Sequence, residues 1–255
     1  MRDKTVLIVG YGVVGHNLAE ELSVLKPDIY DKYKKDVSTK KDMRYDFAFI
    51  CVDTPFVSKD NACDTTEVIN AINETDADII ILKSTVPIGF TSMMANRTGR
   101  PIIFSPEFYG GTQHCNNFNF DFTVLGGARP YCKKVAQLLL DVYDARHQFK
   151  MVNSDTAEML KYMDNSWLAT KVSFCTSFWK MCQSGDYAVD YEELRELFIL
   201  DPRVNPAHTF VYDNHPYWDS HCLNKDVPAV ATMGNDLMMH IWEENEKDKK
   251  LYKEN

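Results

Sequence analysis

Two short segments of this 255-residue chain carry residue types arranged for chemistry. The first, Val9-Gly10-Tyr11-Gly12-Val13-Val14-Gly15, has the Gly-x-Gly-x-x-Gly spacing. In that spacing the first glycine permits a tight turn and the second lets a pyrophosphate approach the backbone. The third lets the following helix pack close to the strand, and the phosphates sit at the helix N-terminus. Asp31 stands about 20 residues further on, where the partner of a ribose 2′-hydroxyl belongs. Its charge repels a 2′-phosphate and so favours NAD over NADP. The second segment is Cys222-Leu223-Asn224-Lys225-Asp226. Taken alone, Cys222 reads as a small buried hydrophobe. Beside it, however, Lys225 favours a thiolate and Asp226 offers a proton acceptor or relay. A dinucleotide site together with a thiol suggests an alcohol oxidised past the aldehyde to an acid.

Three further segments read as strand exits at one sheet edge. They are Cys51-Val52-Asp53-Thr54-Pro55, Lys83-Ser84-Thr85-Val86-Pro87-Ile88-Gly89 and Ser105-Pro106-Glu107-Phe108. Each alone is ordinary punctuation. Three at the carboxyl ends of parallel strands border a ligand crevice. Lys161 and Asn165 lie four apart in a helical pattern and share one face; taken alone, a helix lysine is solvated surface.

The elements that must position these residues follow from periodicity. Thr5 to Val9 is a short apolar run ending in glycine, followed by Asn17, Leu18, Ala19, Leu22 and Leu25 at helical spacing and a second strand, Asp28 to Asp31. This is a βαβ opening. Phe47 to Val52, Ile79 to Leu82, Pro101 to Phe104 and Phe122 to Leu125 read as further strands, with a helix around Thr66 to Thr75. Alternation of this kind predicts a doubly wound, mostly parallel α/β sheet. From Asp155 the period becomes helical, with Met159, Leu160, Met163, Trp167, Leu168, Val172, Phe174, Phe178 and Met181. The pattern predicts one helix of about 30 residues, well beyond the globular mean. Asp155 with Glu158 resembles its capping box and Gly185 its stop. Charged Glu243 to Asn255 reads as a helix end that frays. The expected division is residues 1–152 and 153–255.

Composition excludes several classes. Hydrophobic residues make up 45% and charged residues 25%, ordinary for a globular protein. A net charge of −9 argues against a nucleic-acid partner, and Lys32, Lys34, Lys35, Lys40 and Lys41 read as a solvated loop. No leader is expected before Thr5 and no apolar run reaches membrane-spanning length. The seven cysteines lack CxxC pairs and are expected as thiols. Neither His114 with Cys115 nor His221 with Cys222 supplies a zinc set, so no metal is expected. The cytoplasm is the expected compartment.

In order and spacing, the run GYGVVG, Asp31, ICVDTP, Asp64, KSTVPIG, SPEF, Lys161 with Asn165, Asp201-Pro202-Arg203-Val204 and Cys222-Leu223-Asn224-Lys225-Asp226 resembles the UDP-glucose 6-dehydrogenase family. That family sits within the UDP-glucose/GDP-mannose dehydrogenases, and the resemblance runs from Thr5 to about Asn245. It implies a Rossmann-type NAD domain followed by an all-helical central, dimerising domain. It also implies NAD-dependent oxidation of a nucleotide sugar's primary alcohol, such as C6 of UDP-glucose, to the carboxylate. Cys222 is then the nucleophile, and Lys161 and Asn165 stabilise an oxyanion. Asp226 and Thr85 position water, and Glu107 assists thioester hydrolysis. The implied cofactor residues are Gly10, Gly12, Val13, Val14, Gly15, Asp31, Val52, Thr54, Pro55, Ser84, Thr85 and Lys225. Lys161, Asn165, Phe108 and Arg203 would meet the substrate, Arg203 in the neighbouring subunit of a homodimer built on the long helix. The chain departs from the family in three places. Tyr217-Trp218-Asp219-Ser220-His221 stand where the family has a glycine-rich loop, Gly111 replaces a glutamate, and the C-terminal nucleotide-sugar domain is expected to be absent. Two alternatives stay open: the same chemistry on a smaller substrate, and a non-catalytic NAD-binding partner protein.

Overall fold

The computed structural model describes residues 4–57, 63–109 and 120–253. Gly111, His114 and Cys115, noted above, lie outside them. Strands β1 (Val6–Val9), β2 (Asp28–Tyr30), β3 (Tyr45–Ile50), β4 (Ala77–Leu82), β5 (Ile102–Phe104), β6 (Phe122–Gly126) and β7 (Gln148–Val152) form one sheet. Their order is β2-β1-β3-β4-β5-β6-β7. Neighbours are parallel except β5 and β6, which run antiparallel. Near-continuous apolar runs suit strands covered on both faces. Leu7, Ile50 and Ile80 pack on one side with Ile72 of helix α2 (Thr66–Glu74) and Met94 of α3 (Phe90–Thr98). Ile8, Phe49 and Ile81 pack on the other with Leu18 of α1 (Val13–Glu21) and Val135 of α4 (Arg129–Leu139). The doubly wound expectation is thus met. Helices α3 and α4 and strand β7 complete the layers where the sequence reading named no element. Strand β7 alternates exposed and partly buried residues, as an edge strand does, and lacks the apolar run that marks β3 and β4.

Helix α5 (Ser154–Gln183) has 30 residues, and Gly185 beyond it takes φ +80°. It is followed by α6 (Tyr191–Phe198), α7 (His221–Thr232) and α8 (Asp236–Lys253). Among the described residues, the chain forms two compact units, 4–55 with 63–109 and 120–161, and 56–57 with 162–253. The first unit runs to Lys161 because the first turns of α5 pack on the sheet. A Cβ on Gly126 would lie 2.4 Å from Ala157 Cβ, so only glycine admits α5 at that distance. In the second unit Ala169 of α5, Leu223 and Val227 of α7, and Met238 and Ile241 of α8 share a core with Trp218.

Two local expectations are corrected. The cap of α5 is Asn153, whose Oδ1 accepts from Thr156 N at 2.7 Å. Glu158 instead reaches α3, accepting from Gly89 N at 2.6 Å and Thr91 N at 2.8 Å. Its side chain is fully buried, which pushes its pKa up despite the two amides. Where a solvated, fraying end was expected, the charged C-terminal stretch continues α8 to Lys253, with Asn245 and Asp248 buried. Glu158→Ala strands two buried amides, and urea unfolding should show a loss of about 2 kcal/mol. An unchanged midpoint would show that α3 needs no cap from α5.

Candidate active site

The glycine segment leaves β1 and enters α1, beside the exit of β3. Gly10 takes φ +91°, and a Cβ there would lie 2.7 Å from the Cys51 carbonyl oxygen. A Cβ on Gly15 would lie 1.9 Å from the Gly10 carbonyl oxygen, while Gly12 faces open space. No side chain caps α1 at Gly12, so its first amides are available to an anion. Val13 at the start of α1 is exposed and Val14 partly buried. This is the cradle a dinucleotide pyrophosphate fits.

Asp31 directly follows β2 and is nearly buried. Its Oδ2 accepts from Tyr11 N at 2.7 Å, and its Oδ1 from Tyr33 N at 2.8 Å and Lys34 N at 2.9 Å. Burial opposes its charge, but the three amides and the Lys34 ammonium outweigh it and hold the pKa below the usual carboxylate range. The acid is therefore fixed as an anion beside the glycine turn. Ser84 Oγ donates to the Val52 carbonyl at 2.6 Å, tying the exit of β4 to that of β3. Thr54, Ser84 and Thr85 are buried at these exits, and Pro55 O accepts from Asp64 N at 2.8 Å.

The exit of β5 carries the first ion pair. Lys161, only 3% exposed, donates to the Glu107 carbonyl oxygen at 2.7 Å and lies 3.0 Å from Glu107 Oε1. Burial raises the Glu107 pKa, but Lys161, then Lys83, and the Tyr109 amide bring it below its ordinary value. The Lys161 ammonium also sits 5.8 Å over the ring of Phe108, which packs against Phe122 at 5.5 Å. Sequence reading gave no role to Lys83, whose Nζ lies 3.5 Å from Ser105 Oγ and from the Pro106 carbonyl. Burial lowers its pKa. Nor did it single out Glu21, which accepts from Tyr109 Oη at 2.5 Å and from Tyr143 Oη. A lysine closing an apolar strand was the available signal for Lys83; nothing local marks Glu21.

The second unit gathers the other candidates. Asn165 Nδ2 donates to Asp226 Oδ2 at 2.5 Å, and Lys225 Nζ to Asp226 Oδ1 at 2.6 Å. Asp226 is 2% exposed, so both oxygens are satisfied in a buried site. Lys225 donates its bond from the second unit. Cys222 is the second residue of α7, partly exposed and one turn from Asp226 on the same face. Ser220 caps the helix, its Oγ accepting from Leu223 N at 3.3 Å. Amides at a helix N-terminus favour a thiolate. Arg203 stays at the surface, paired to Asp201. Among the described residues no disulfide forms, no His, Cys, Asp or Glu cluster is arranged for a metal, and no helix is long and apolar enough to cross a membrane.

A dinucleotide-binding α/β unit, with a buried lysine-glutamate pair at its strand exits and a helical unit carrying a thiol, defines a class of nicotinamide-dependent oxidoreductase folds. Residues 16–146 match the NAD binding domain of the UDP-glucose/GDP-mannose dehydrogenase family and residues 155–247 its central domain; the chain belongs to that family. It is 24% identical to a UDP-N-acetyl-D-mannosamine dehydrogenase of Methanococcus maripaludis, over 89% of this chain and 57% of that one. It is 26% identical to a UDP-glucose 6-dehydrogenase of Campylobacter jejuni, over 81% of this chain and 54% of that one. The fold matches a UDP-glucose dehydrogenase of Pyrobaculum islandicum with a TM-score of 0.76 at 21% identity, covering 96% of this chain and 68% of that one. The chain thus spans just over half the length of these two curated relatives.

Two outcomes follow. Gly15→Ala should weaken NAD binding by at least about tenfold in calorimetric titration, because the added carbon displaces the glycine turn. Wild-type affinity would show that the turn can yield. Lys161→Met leaves Glu107 buried without its main partner, at a cost of about 3–5 kcal/mol near neutral pH. The Glu107 pKa is depressed in the fold, so its contribution is present above the ordinary carboxylate range and lost as pH falls through the folded value. The variant's deficit, measured by urea unfolding, should therefore shrink as pH falls below about 4. A deficit independent of pH would remove Glu107 as its source.

Proposed function

We propose that this chain performs NAD-dependent oxidation of a primary alcohol on a nucleotide sugar, C6 of UDP-glucose or a close relative, to the carboxylate. The observation that carries the reading is the buried Asn165-Asp226-Lys225 group one helical turn from Cys222. A scaffold without chemistry gains little from burying a carboxylate beneath a partly exposed thiol. NAD, when bound, accepts a hydride at each of two oxidations. The Cys222 thiolate adds to the carbonyl carbon of the aldehyde to give a thiohemiacetal, and the second oxidation converts this to a thioester. Water cleaves the thioester, releasing carboxylate and thiol. Lys161 and Asn165 stabilise the oxyanions, a task suited to fixed donors in a dry site. Asp226 and Thr85 orient the water, and Glu107, held ionised, assists its attack. Phe108 contacts substrate, and Arg203 contacts the substrate of the neighbouring subunit.

A second reading keeps this chemistry on a smaller alcohol. It is favoured by the segment before Cys222, where Tyr217 and Trp218 are buried and both backbone polar groups of Trp218 are bonded to Asn245. That backbone offers little to a sugar diphosphate.

The long helix supports a homodimer. Met163, Trp167, Phe174, Phe178 and Met181 are exposed along α5, an apolar stripe of the kind that marks a protein interface. Trp167→Glu should convert a dimer to a monomer in analytical ultracentrifugation; a wild type that is already monomeric would end the proposal.

The direct test mixes protein, NAD and UDP-glucose. Two NADH should form per carboxylate, and Cys222→Ser should reduce acid formation by at least about a thousandfold. Acid formed by Cys222→Ser at the wild-type rate would overturn the covalent route. Turnover of small hydroxy compounds alone would favour the second reading.

A further inference from the structure

The charged end of α8 has a task that the proposed chemistry does not explain. Asp219 directly precedes the Ser220 cap of α7. Its Oδ2 accepts from Lys253 Nζ at 2.8 Å, and its Oδ1 accepts from Asn224 Nδ2 at 2.9 Å and lies 3.2 Å from Lys249 Nζ. Lys249 also donates to Asn224 Oδ1 at 2.6 Å and pairs with Glu246 at 2.9 Å. Asn245 donates to the Trp218 carbonyl at 3.0 Å and accepts from its amide at 2.9 Å. The last turns of α8 therefore hold residues on both sides of Cys222.

We propose that Asp219 is a positioning residue which, gripped by Lys249 and Lys253, fixes the first turn of α7 and with it the direction of the Cys222 thiol. The inference rests on Cys222 acting as the nucleophile. A helix start is the part of a helix that opens most readily, because its amides lack intrahelical partners. Ser220 satisfies one of them, through a bond at the long end of the range. Asn224 lies two residues beyond the thiol, and its amide group bridges Asp219 and Lys249, so the turn is held from the outside as well as by its cap. Asp219 also places an anion near a would-be thiolate, which opposes ionisation. Lys249 and Lys253 offset that charge, and Glu246 balances one of them. Burial alone would raise the Asp219 pKa, but the bonds from Lys253, Asn224 and Lys249 hold it down to about 2, so the grip persists across the range in which the thiol is used. Individual exposed ion pairs contribute little. Here a geometric network acts on one short turn, and Lys249 is well covered.

The test uses the full chain and reads the turn and the thiol separately from turnover. In Asp219→Ala, hydrogen exchange of peptides covering residues 221–226 should quicken about tenfold. Loss of the Asp219 anion leaves Lys249 and Lys253 unopposed near the thiol, so the pH dependence of Cys222 alkylation by iodoacetamide should move downward, while Cys182 on α5 should be unaffected. Asp219→Asn keeps the acceptor and should recover most of the wild-type exchange. Lys249→Met should reproduce the quickened exchange if Asp219→Ala folds poorly. With a turned-over substrate, kcat should fall while the KM for NAD stays constant. Wild-type exchange and alkylation in Asp219→Ala would overturn the proposal, as would quickening spread evenly over both units. An active Cys222→Ser would instead defeat the nucleophile reading, whatever exchange shows.

Discussion

The start of α5 is the constraint on which the candidate site depends. Three contacts fix it to the first unit: the absence of a Cβ on Gly126 opposite Ala157, Glu158 at the amides of α3, and Lys161 at Glu107. They follow one another along the first two turns, and each tolerates little slippage. A helix shifted by one residue turns by about 100°, which would take the Glu158 and Lys161 side chains off their partners. The first turns of α5 therefore place an ammonium at the strand exits of the first unit.

Several charges in this protein are buried together with a complement. Glu107 meets Lys161 and the Tyr109 amide, Asp226 meets Asn165 and Lys225, and Asp31 meets three backbone amides. Such pairs add little net stability over an apolar substitute, but breaking one is costly. Their benefit is fixed geometry and fixed ionisation. Glu107 and Asp31 are both held as anions by these partners.

The features legible in the sequence were those whose cause is local. A glycine spacing reports a backbone conformation, so Gly10 and Gly15 could be read before any fold was known; both are sterically obligatory here. Apolar runs reported β3 and β4, and a sustained helical period reported α5 to within two residues. What escaped were long-range pairings. Glu158 has the spacing of a capping box with Asp155, yet its partners are 67 and 69 residues away in sequence. Spacing cannot distinguish a carboxylate that caps its own helix from one that caps another.

The same limit explains the end of the chain. From Glu243 onward the residues are mostly charged, and composition alone predicts a solvated, fraying end. Charge, however, favours solvent only where no complement is within reach. Asp219 supplies that complement to Lys249 and Lys253, and Trp218 supplies a backbone partner to Asn245. Tyr217, Trp218 and Asp219 precede Cys222, and Lys249 and Lys253 of α8 pair with Asp219. Each side is unfavourable without the other: Asp219 would oppose the thiolate if unpaired, and the lysines would repel one another at a bare helix end. Together they hold the residues on either side of Cys222 in place, so order at the end of α8 and order at the start of α7 are one feature of the fold.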